Sequence, residues 1–517
     1  MKKLKLVCVA IAMACTTPTL AGGLLTNTNQ HVAFDRMMSR EASIGIDGVY
    51  YNPAGVVFMS EGHHLAINWQ LAFQTRTINN DYALFTNNVN NPTTPRDFKG
   101  TAFAPVIPSF QYAYNKGKWS FQASFALTGG GGKCTFDDGL GSFEKIVAET
   151  AIAACQLAGA VDQVAGAYGV PAIFSSNQCF GTEGKYSYNS YMHGRQYYYG
   201  LSAGAAYKFS DNFSAFLGVR GVYALTNYYG YVENIQVGQM PLYKVLNPAK
   251  ESSANIELSC DQSGVGFTPI IGVDYKTGRW NFSAKYEFKT RIRLKNKSVN
   301  QIPSIGNLPD NLRNAYIANG VPEAAADAIL SNPKIQGAMV TLKTQFDSKI
   351  DGAIGEYEDG KKIAGDIPAY LALGVGYSPV DAVRVNVGFH WFDDKNATSY
   401  NNRNKELKRG TLEYNAGVEV DVNKKITLST GWQNTNYGLS DEYMDDKSFV
   451  VSSNSVAIGG VYHINKKMDL NVAYFHTFYQ HKKTTETVQL TADRSLNYSS
   501  DYTRNNNVFA VGLDINF

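Results

Sequence analysis

The chain has 517 residues, a formal net charge of +3 and 44% hydrophobic residues. The small net charge gives no basis for a nucleic-acid-binding function. Aromatic residues make up 13% of the chain, with 33 Tyr, and there are 47 Gly. Such a composition is typical of membrane β-barrels, whose residues alternate between lipid and lumen and whose aromatic residues collect at the two interfaces. The length alone fits either several soluble domains or one long barrel.

The N-terminus has the layout of a secretory signal peptide, which we place at residues 1–21. Lysines precede an apolar run over residues 6–15, and a small-residue cleavage site ends at Ala21. The run is too short to span a bilayer, and no other stretch approaches about 18 apolar residues. A membrane form of this protein must therefore cross with strands. Cys15 raises the alternative of a lipoprotein, although the residues before it fit that processing pattern poorly.

Residues 22–62 do not alternate as a strand does. They carry charged and amide side chains among scattered apolar ones and lead to Asn52, Pro53 and Ala54. Asn52 and Pro53 predict a turn after which Pro53 opens a short helix at its first position. The segment is too varied to be a linker, so we expect it to pack inside the lumen if the strands that follow form a barrel.

The last strand alternates strictly between apolar and small or polar residues. Its apolar positions are Phe509, Val511, Leu513, Ile515 and Phe517. A strand of about 9 to 11 residues with one apolar face is typical of a membrane barrel. The alternative for this strand alone is an ordinary strand of a soluble protein.

The two ends of the chain resemble the FadL-type family of outer-membrane transporters for long-chain fatty acids and hydrocarbons. The resemblance rests on residues 42–55, which end in the Asn-Pro-Ala motif, and on the strand that ends at Phe517. It implies a barrel of about 14 strands in a Gram-negative outer membrane, plugged by an N-terminal hatch over residues 22–62. We expect a monomer whose C-terminal strand is handled by the barrel assembly machinery.

Alternation between the two ends predicts about 14 strands over residues 63–517, joined by short polar turns that alternate with long variable stretches. Up-and-down outer-membrane barrels have short periplasmic turns and long external loops, whereas a soluble sandwich has no reason to alternate in this way. The fold class is therefore an all-β, antiparallel up-and-down barrel. The long stretches are residues 129–193, 229–263, 295–365, 393–409, 436–450 and 480–504.

Two of the long stretches, 129–193 and 295–365, are predicted to be partly helical. Apolar residues recur at near-helical spacing over residues 143–168 and 312–330. Helices there would either present an apolar groove to a lipid or pack on each other and cap the barrel.

A run of four glycines ends the third predicted strand. It lacks the spacing of a phosphate-binding loop, so it is either a strand kink or the plain start of a loop, and we favour the start of a loop. In the family that the chain resembles, a kink in the third strand opens the wall sideways. Prolines in the second strand are a rival place for such a defect. The residues concerned are Gly129, Gly130, Gly131 and Gly132, and Pro105 and Pro108.

Four cysteines remain after the signal peptide: Cys134, Cys155, Cys179 and Cys260. An even number in an exported chain predicts two disulfides, for which three pairings are possible. The chain has no Cys-x-x-Cys and no Cys/His spacing for a metal site.

The sequence offers no chemistry of an enzyme. The eight His are scattered, and neither a zinc-protease motif nor a nucleophile elbow is present. We expect no catalytic residues, no metal and no cofactor. Arg291, Arg293, Lys295 and Lys297 follow one another at period two, and on the lipid face each would cost about 2 to 4 kcal/mol. They should face the lumen or the headgroup zone, where a fatty acid carboxylate or lipopolysaccharide phosphates are candidate partners.

The predicted function is passive uptake of hydrophobic compounds such as long-chain fatty acids. A ligand would be captured by the outer loops and released past the hatch or through a lateral opening in the wall. The alternatives are a general porin and an adhesin that binds a partner through its loops. The candidate ligand-binding residues are Leu24, Leu25, Phe34, Met37 and Met38.

Overall fold

The computed structural model describes residues 24–491 and 494–517. The predicted signal peptide, residues 1–21, lies outside the described residues. The strands are β1 Gly62–Tyr82, β2 Arg96–Lys116, β3 Trp119–Phe136, β4 Tyr186–Lys208, β5 Phe213–Val237, β6 Met240–Pro241, β7 Ile256–Thr277, β8 Trp280–Glu287, β9 Arg293–Gln301, β10 Lys362–Ala364, β11 Tyr370–Val380, β12 Val383–Phe392, β13 Thr411–Asn423, β14 Ile426–Asn436, β15 Ser453–Asn465, β16 Met468–Tyr479, β17 Lys482–Thr491 and β18 Arg494–Asn516. The α-helices are α1 Val32–Met37, α2 Gly48–Tyr51, α3 Gly141–Gly166, α4 Tyr243–Leu246, α5 Leu308–Ala318, α6 Glu323–Leu330 and α7 Pro333–Ile354.

Fourteen of the strands form a closed antiparallel barrel. The order around the wall is β1, β2, β3, β4, β5, β7, β8, β11, β12, β13, β14, β15, β16 and β18, and β18 pairs again with β1. This last pairing runs from His64 opposite Asn516 to Tyr82 opposite Tyr498. The short strands β6, β9, β10 and β17 extend the wall on the side of the long loops. The predicted barrel of about 14 strands is confirmed.

Each barrel strand turns its apolar side chains outward. On β1, Ile67 and Trp69 are 51% and 49% exposed, whereas Asn68 and Gln70 between them are buried. This is the reverse of a soluble sandwich, in which the apolar face of a strand lies inside.

Several strands are longer than the sequence predicts. The strand β3 continues to Phe136 through a stretch that we expected to be loop, and β5 continues to Val237. Within residues 480–504, predicted as a long loop, Lys482–Thr491 forms β17, which pairs with the first part of β18. The predicted helix over residues 143–168 corresponds to α3, and the range 312–330 covers the second part of α5, the connection after it and all of α6.

The external loops have an apolar core of their own. The helices α3, α5 and α6 contribute Val147, Val161, Leu312, Tyr316 and Ile329, all buried in one cluster. Of the two alternatives for these helices, mutual packing is therefore what the structure shows, and a cavity remains between them. No helix of the described ranges combines the length and the apolar character needed to cross a membrane.

Candidate functional site

The N-terminal segment, residues 24–61, lies against the inward-facing side chains of the barrel strands. Its first helix, α1, is completely buried. The imidazole of His31 caps the helix by accepting a hydrogen bond from the Ala33 N–H at 2.9 Å. Met38 ends it in the left-handed conformation and donates its N–H to the Phe34 carbonyl at 2.7 Å.

Buried charges attach α1 and the turn after it to the strand β13. The Arg36 guanidinium contacts the Glu419 carboxylate. Arg40 contacts the same carboxylate at 3.0 Å and Asp47 at 2.7 Å. Burial works against the charge of both Arg40 and Asp47, but each holds the other charged, so the pKa of Arg40 lies above and that of Asp47 below its usual value. The segment is thus held by ion pairs that contain no water-exposed member.

A second buried contact involves Glu41. Its carboxylate lies 2.7 Å from His390 Nε2 on β12, and His390 Nδ1 lies 2.8 Å from the Glu413 carboxylate on β13. Burial alone would raise the pKa of Glu41, but the charge and hydrogen bond of His390 keep it below the usual range. The two strands are therefore tied to each other and to the segment through one imidazole.

The Asn-Pro-Ala motif joins the segment to three other strands. Asn52 Nδ2 donates to Asp274 on β7 at 2.6 Å, and its Oδ1 accepts from the Gly55 N–H at 3.1 Å. The carbonyl of Pro53 accepts from β3 at 2.7 Å, and that of Ala54 accepts from β5 at 2.7 Å. The expected helix opening at Pro53 is wrong: α2 ends at residue 51 and a 3-10 helix begins at Gly55, so Pro53 lies in the turn between them.

The wall is interrupted between β2 and β3. These strands pair from Lys116 to Phe110 and again from Ala102 to Gly100, but β2 residues 103–109 and β3 residues 126–133 have no partners in each other. Both candidate defects of the sequence lie within this interval, the two prolines on β2 and the four glycines on β3. The run of glycines is therefore inside a strand and does not start a loop.

The glycines give β3 a backbone conformation that other residues rarely adopt. Gly130 and Gly131 have φ of 70° and 128°, which L side chains rarely adopt. The register with β4 shifts at two places in the run. The N-terminal segment takes the position that β2 leaves: Asn27 donates its backbone N–H to the Thr128 carbonyl at 2.9 Å and its Nδ2 to the Gly130 carbonyl at 2.8 Å. One end of the segment thus closes the gap from inside.

A cavity of about 120 Å³ begins at the start of the described segment. Leu24 and Leu25 line it, together with Tyr198, Leu294 and Ile363 among others. Its polar lining includes the carboxyl groups of Glu356, Asp366 and Asp394, and no Lys, Arg or His of the described chain is among its lining residues.

Asp394 connects this cavity to the N-terminal segment. Its Oδ1 accepts from the Leu24 N–H at 3.2 Å, and its Oδ2 accepts from the Thr411 N–H at 2.8 Å. Burial raises the pKa of Asp394 to about 6, because the two hydrogen bonds offset only part of the cost of a buried charge.

Two apolar cavities lie nearer the external loops. One, of about 70 Å³, is enclosed by α3, α4 and α5 and is lined by Leu157, Leu246 and Leu312 among others. The other, of about 60 Å³, is lined by Phe143 and Tyr228 among others. Tyr228 also lines the inner cavity, so it borders both the second outer cavity and the cavity that Leu24 lines.

The five candidate ligand-binding residues are not in one place. Leu24 and Leu25 line the inner cavity. Met38 packs with Ile107 and Leu127, beside the interruption in the wall. The other two line none of the described cavities: Phe34 stacks on Tyr51 at 5.3 Å between ring centroids, and Met37 lies against glycines of β13 and β14. Their ligand contact stays a prediction.

The four cysteines are free thiols in the structure, so the two predicted disulfides are not formed. Cys155 and Cys179 belong to the same apolar cluster of the external loops, whereas Cys134 and Cys260 lie in two other clusters. Burial raises the pKa of Cys155 and of Cys179, which are outside the barrel strands.

Comparison with known proteins identifies this architecture. No family model and no curated protein matches the chain. Among solved structures, a FadL homologue from Pseudomonas aeruginosa matches 96% of this chain and 100% of its own, with 14% identity and a TM-score of 0.59. The chain has the fold of this FadL homologue. A TodX monoaromatic hydrocarbon channel, as a deltaS2S3 mutant, also matches 96% of this chain and 100% of its own, with 14% identity and a TM-score of 0.52. The resemblance that the two ends of the sequence indicate is confirmed for the fold.

Proposed function

We propose that the protein is an outer-membrane channel for passive uptake of hydrophobic compounds, in which residues 24–61 are the hatch. The observation that carries the proposal is the position of the inner cavity. It lies beside the first described residues of the segment, and these residues continue to Asn27 at the interrupted wall. The similar TodX structure is described as a monoaromatic hydrocarbon channel, which supports the same class of ligand for this chain.

The route that we propose follows the three cavities. A ligand enters the apolar cavity between the loop helices, passes Tyr228 and reaches Leu24 and Leu25. It leaves when the hatch residues at the gap between β2 and β3 move away from β3. The driving force for entry is burial of hydrocarbon, about 0.8 kcal/mol for each CH₂ group.

The charges around the inner cavity favour uncharged ligands over fatty acid anions. Three carboxyl groups line it; Asp366 is already paired with Arg293, and Asp394 accepts hydrogen bonds from the N–H groups of Leu24 and Thr411. A buried ligand carboxylate would lie near these groups without a cation from the described lining to pair with. A hydroxyl group, in contrast, can donate to a carboxylate.

The two alternative functions, a general porin and an adhesin, would each require a different structure. A general porin needs a wet, open lumen, whereas here buried ion pairs join the segment to the wall. An adhesin would place its function in the loops alone and would not need the inner cavity.

Uptake by outer-membrane vesicles tests the proposal. We expect the protein to take up a long-chain alcohol faster than the fatty acid anion of equal length, with little passage of a small sugar. Ala397→Phe fills the inner cavity, of which Ala397 is a lining residue, and should abolish uptake. Ala382→Phe, in the exposed turn after β11, is the matched control and should not change it. Sugar passage through the intact protein would support a porin, and no flux of any of the three would support an adhesin.

A further inference from the structure

Seven cations form a belt on the outside of the barrel wall. Each side chain is exposed and alternates along its segment with residues that are more buried. We call this set the basic belt: Lys133 on β3, Arg195 on β4, Arg291 just before β9, Arg293, Lys295 and Lys297 on β9, and Lys362 on β10. It includes the four cations at period two that the sequence placed in the lumen or the headgroup zone, and it faces away from the lumen.

Strand pairing brings like charges together in the basic belt. Lys133 lies directly opposite Arg195, and Lys295 lies directly opposite Lys362. Like charges at directly paired positions destabilise a sheet, because their Cβ atoms are only about 5 Å apart. None of these four makes an ion pair with a described residue, whereas Arg293 contacts Asp366 at 2.8 Å. The arrangement leaves two pairs of cations that an external anion would stabilise.

The height of the basic belt on the barrel indicates which layer of the membrane it contacts. The short turn between β7 and β8 follows Thr277, and Phe267 lies ten residues earlier on β7, with 70% of its surface exposed. Ten residues of a strand tilted by about 40° rise roughly 25 Å, which is the height of the apolar band of a membrane barrel. Lys295 and Lys297 pair with Ser263 and Asp261, a few residues beyond Phe267. The belt therefore begins where the apolar band ends, on the side of the long loops.

Tyrosines accompany the cations at this level. Tyr197 and Tyr199 follow Arg195 on the same face of β4, and Tyr229 lies on the neighbouring strand β5. Tyrosine collects where the hydrocarbon of a membrane meets its headgroups. The outward surface here has the composition of a headgroup-contact zone with an excess of positive charge.

We propose that the basic belt binds the phosphate groups of a phosphorylated lipid headgroup in the outer leaflet, namely those of lipopolysaccharide. Arg and Lys hold phosphate through charge-assisted hydrogen bonds, and successive outward residues of a strand are about 7 Å apart, so one headgroup can contact several of them. The inference rests on the proposed outer-membrane location, but it does not depend on the ligand of the channel.

The test measures lipopolysaccharide that remains bound to the purified full-length protein, by native mass spectrometry and by phosphate analysis. The variant replaces the four unpaired cations by Gln: Lys133→Gln, Arg195→Gln, Lys295→Gln and Lys362→Gln. The matched control replaces four lysines of short turns at the other end of the barrel: Lys424→Gln, Lys425→Gln, Lys466→Gln and Lys467→Gln. At about 1 kcal/mol for each cation near a charged lipid surface, we expect the belt variant to bind at least tenfold more weakly and the control to be unchanged.

Three competitors identify the ligand chemistry. Lipid A should compete with bound lipopolysaccharide, and lipid A without its phosphates should not. Inorganic phosphate should compete only at far higher concentration. The proposal would be overturned if the belt variant bound as much lipopolysaccharide as the wild type, or if dephosphorylated lipid A competed as well as lipid A. Strong competition by inorganic phosphate would also overturn it, because the ligand would then be a free anion and not a lipid. Uptake of the long-chain alcohol separates the two proposals. We expect the belt variant to take up the alcohol as the wild type does. A wild-type protein that takes up no alcohol would contradict the proposed channel but not the proposed lipid-binding surface.

Discussion

Replacing Glu419 by Gln tests whether buried charge holds the hatch inside the barrel. This carboxylate contacts Arg36 and Arg40 of the N-terminal segment and Arg384 of the wall. Without it, Arg40 keeps its ion pair with Asp47, whereas Arg36 keeps neutral hydrogen-bond partners on β14 and β16. The variant therefore leaves one buried cation without a carboxylate.

The expected magnitude follows from that uncompensated cation. Removing one member of a buried ion pair costs about 3 to 5 kcal/mol, and we take the lower end because Arg36 retains hydrogen bonds. A loss of about 3 kcal/mol raises the population of displaced hatch roughly 100-fold, since each 1.4 kcal/mol is a factor of ten. The barrel itself should keep its thermal stability, because its strand pairing is unchanged.

Two measurements detect the displaced hatch. Hydrogen exchange should speed up in residues 24–61 while the strands stay protected. Single-channel conductance should show frequent openings to small ions. The control is Asp421→Asn, two residues further along β13, where the carboxylate is 36% exposed and contacts Arg384; exposed pairs contribute about 0 to 1 kcal/mol. Unchanged exchange and conductance in the Glu419 variant would refute the idea that these charges anchor the segment.

Three further predictions concern the gap, the Asn-Pro-Ala motif and the cavity. Gly130→Ala should impair uptake without unfolding the barrel, because the φ of Gly130 is 70° and an added Cβ would meet the backbone of β4. Gly132→Ala should have no effect, because its Cβ would make only an ordinary contact with the Ala104 Cβ at 3.8 Å. Uptake and heat-modifiable mobility on gels check both variants. Asn52→Ala should lower the free energy of opening of the hatch by about 1 to 3 kcal/mol, because it removes hydrogen bonds of a buried carboxylate and a backbone N–H. Hydrogen exchange of the hatch residues measures this change. Asn423→Ala, in an exposed turn, is the control and should have little effect. The folded protein holds a proton on Asp394 up to about pH 6, so the contribution of Asp394 to the free energy of unfolding falls as the pH rises from about 4 to 6. In urea titrations the free energy of unfolding of the wild type should therefore fall relative to that of Asp394→Asn over this range, and a difference of the opposite sign would contradict the raised pKa.

The barrel could be predicted from the sequence because its signal is local. Alternation and turn residues are properties of neighbouring positions, so hairpins such as β2–β3 and β7–β8 appear where expected. The extent of the strands could not be predicted in this way. At the end of β5 the apolar residues Val232 and Val237 lie on the buried face, and Asn234 with a φ of 54° interrupts the alternation, so these residues resemble a loop in the sequence.

The partners of the N-terminal segment could not be predicted, because they depend on contacts across most of the chain. The charges of Arg36, Arg40 and Glu41 showed that their segment was not a strand, but Glu419 and His390 are more than 340 positions away. The same limit explains why the sequence alone could not separate ligand-binding residues from the other apolar residues of the segment. Apolar side chains in a plug can contact a ligand or the wall, and only the structure shows that Phe34 stacks within the segment while Leu24 faces a cavity.

Flux through the protein with and without residues 22–62 tests the central claim most directly. Outer-membrane vesicles would be loaded with the intact or the shortened protein, with barrel formation checked on gels, and passage of a long-chain alcohol and of a small sugar would be measured in each. The account predicts that the intact protein passes the alcohol and retains the sugar, and that the shortened protein passes the sugar freely. Equal sugar passage through both forms would contradict a plugged channel for hydrophobic compounds.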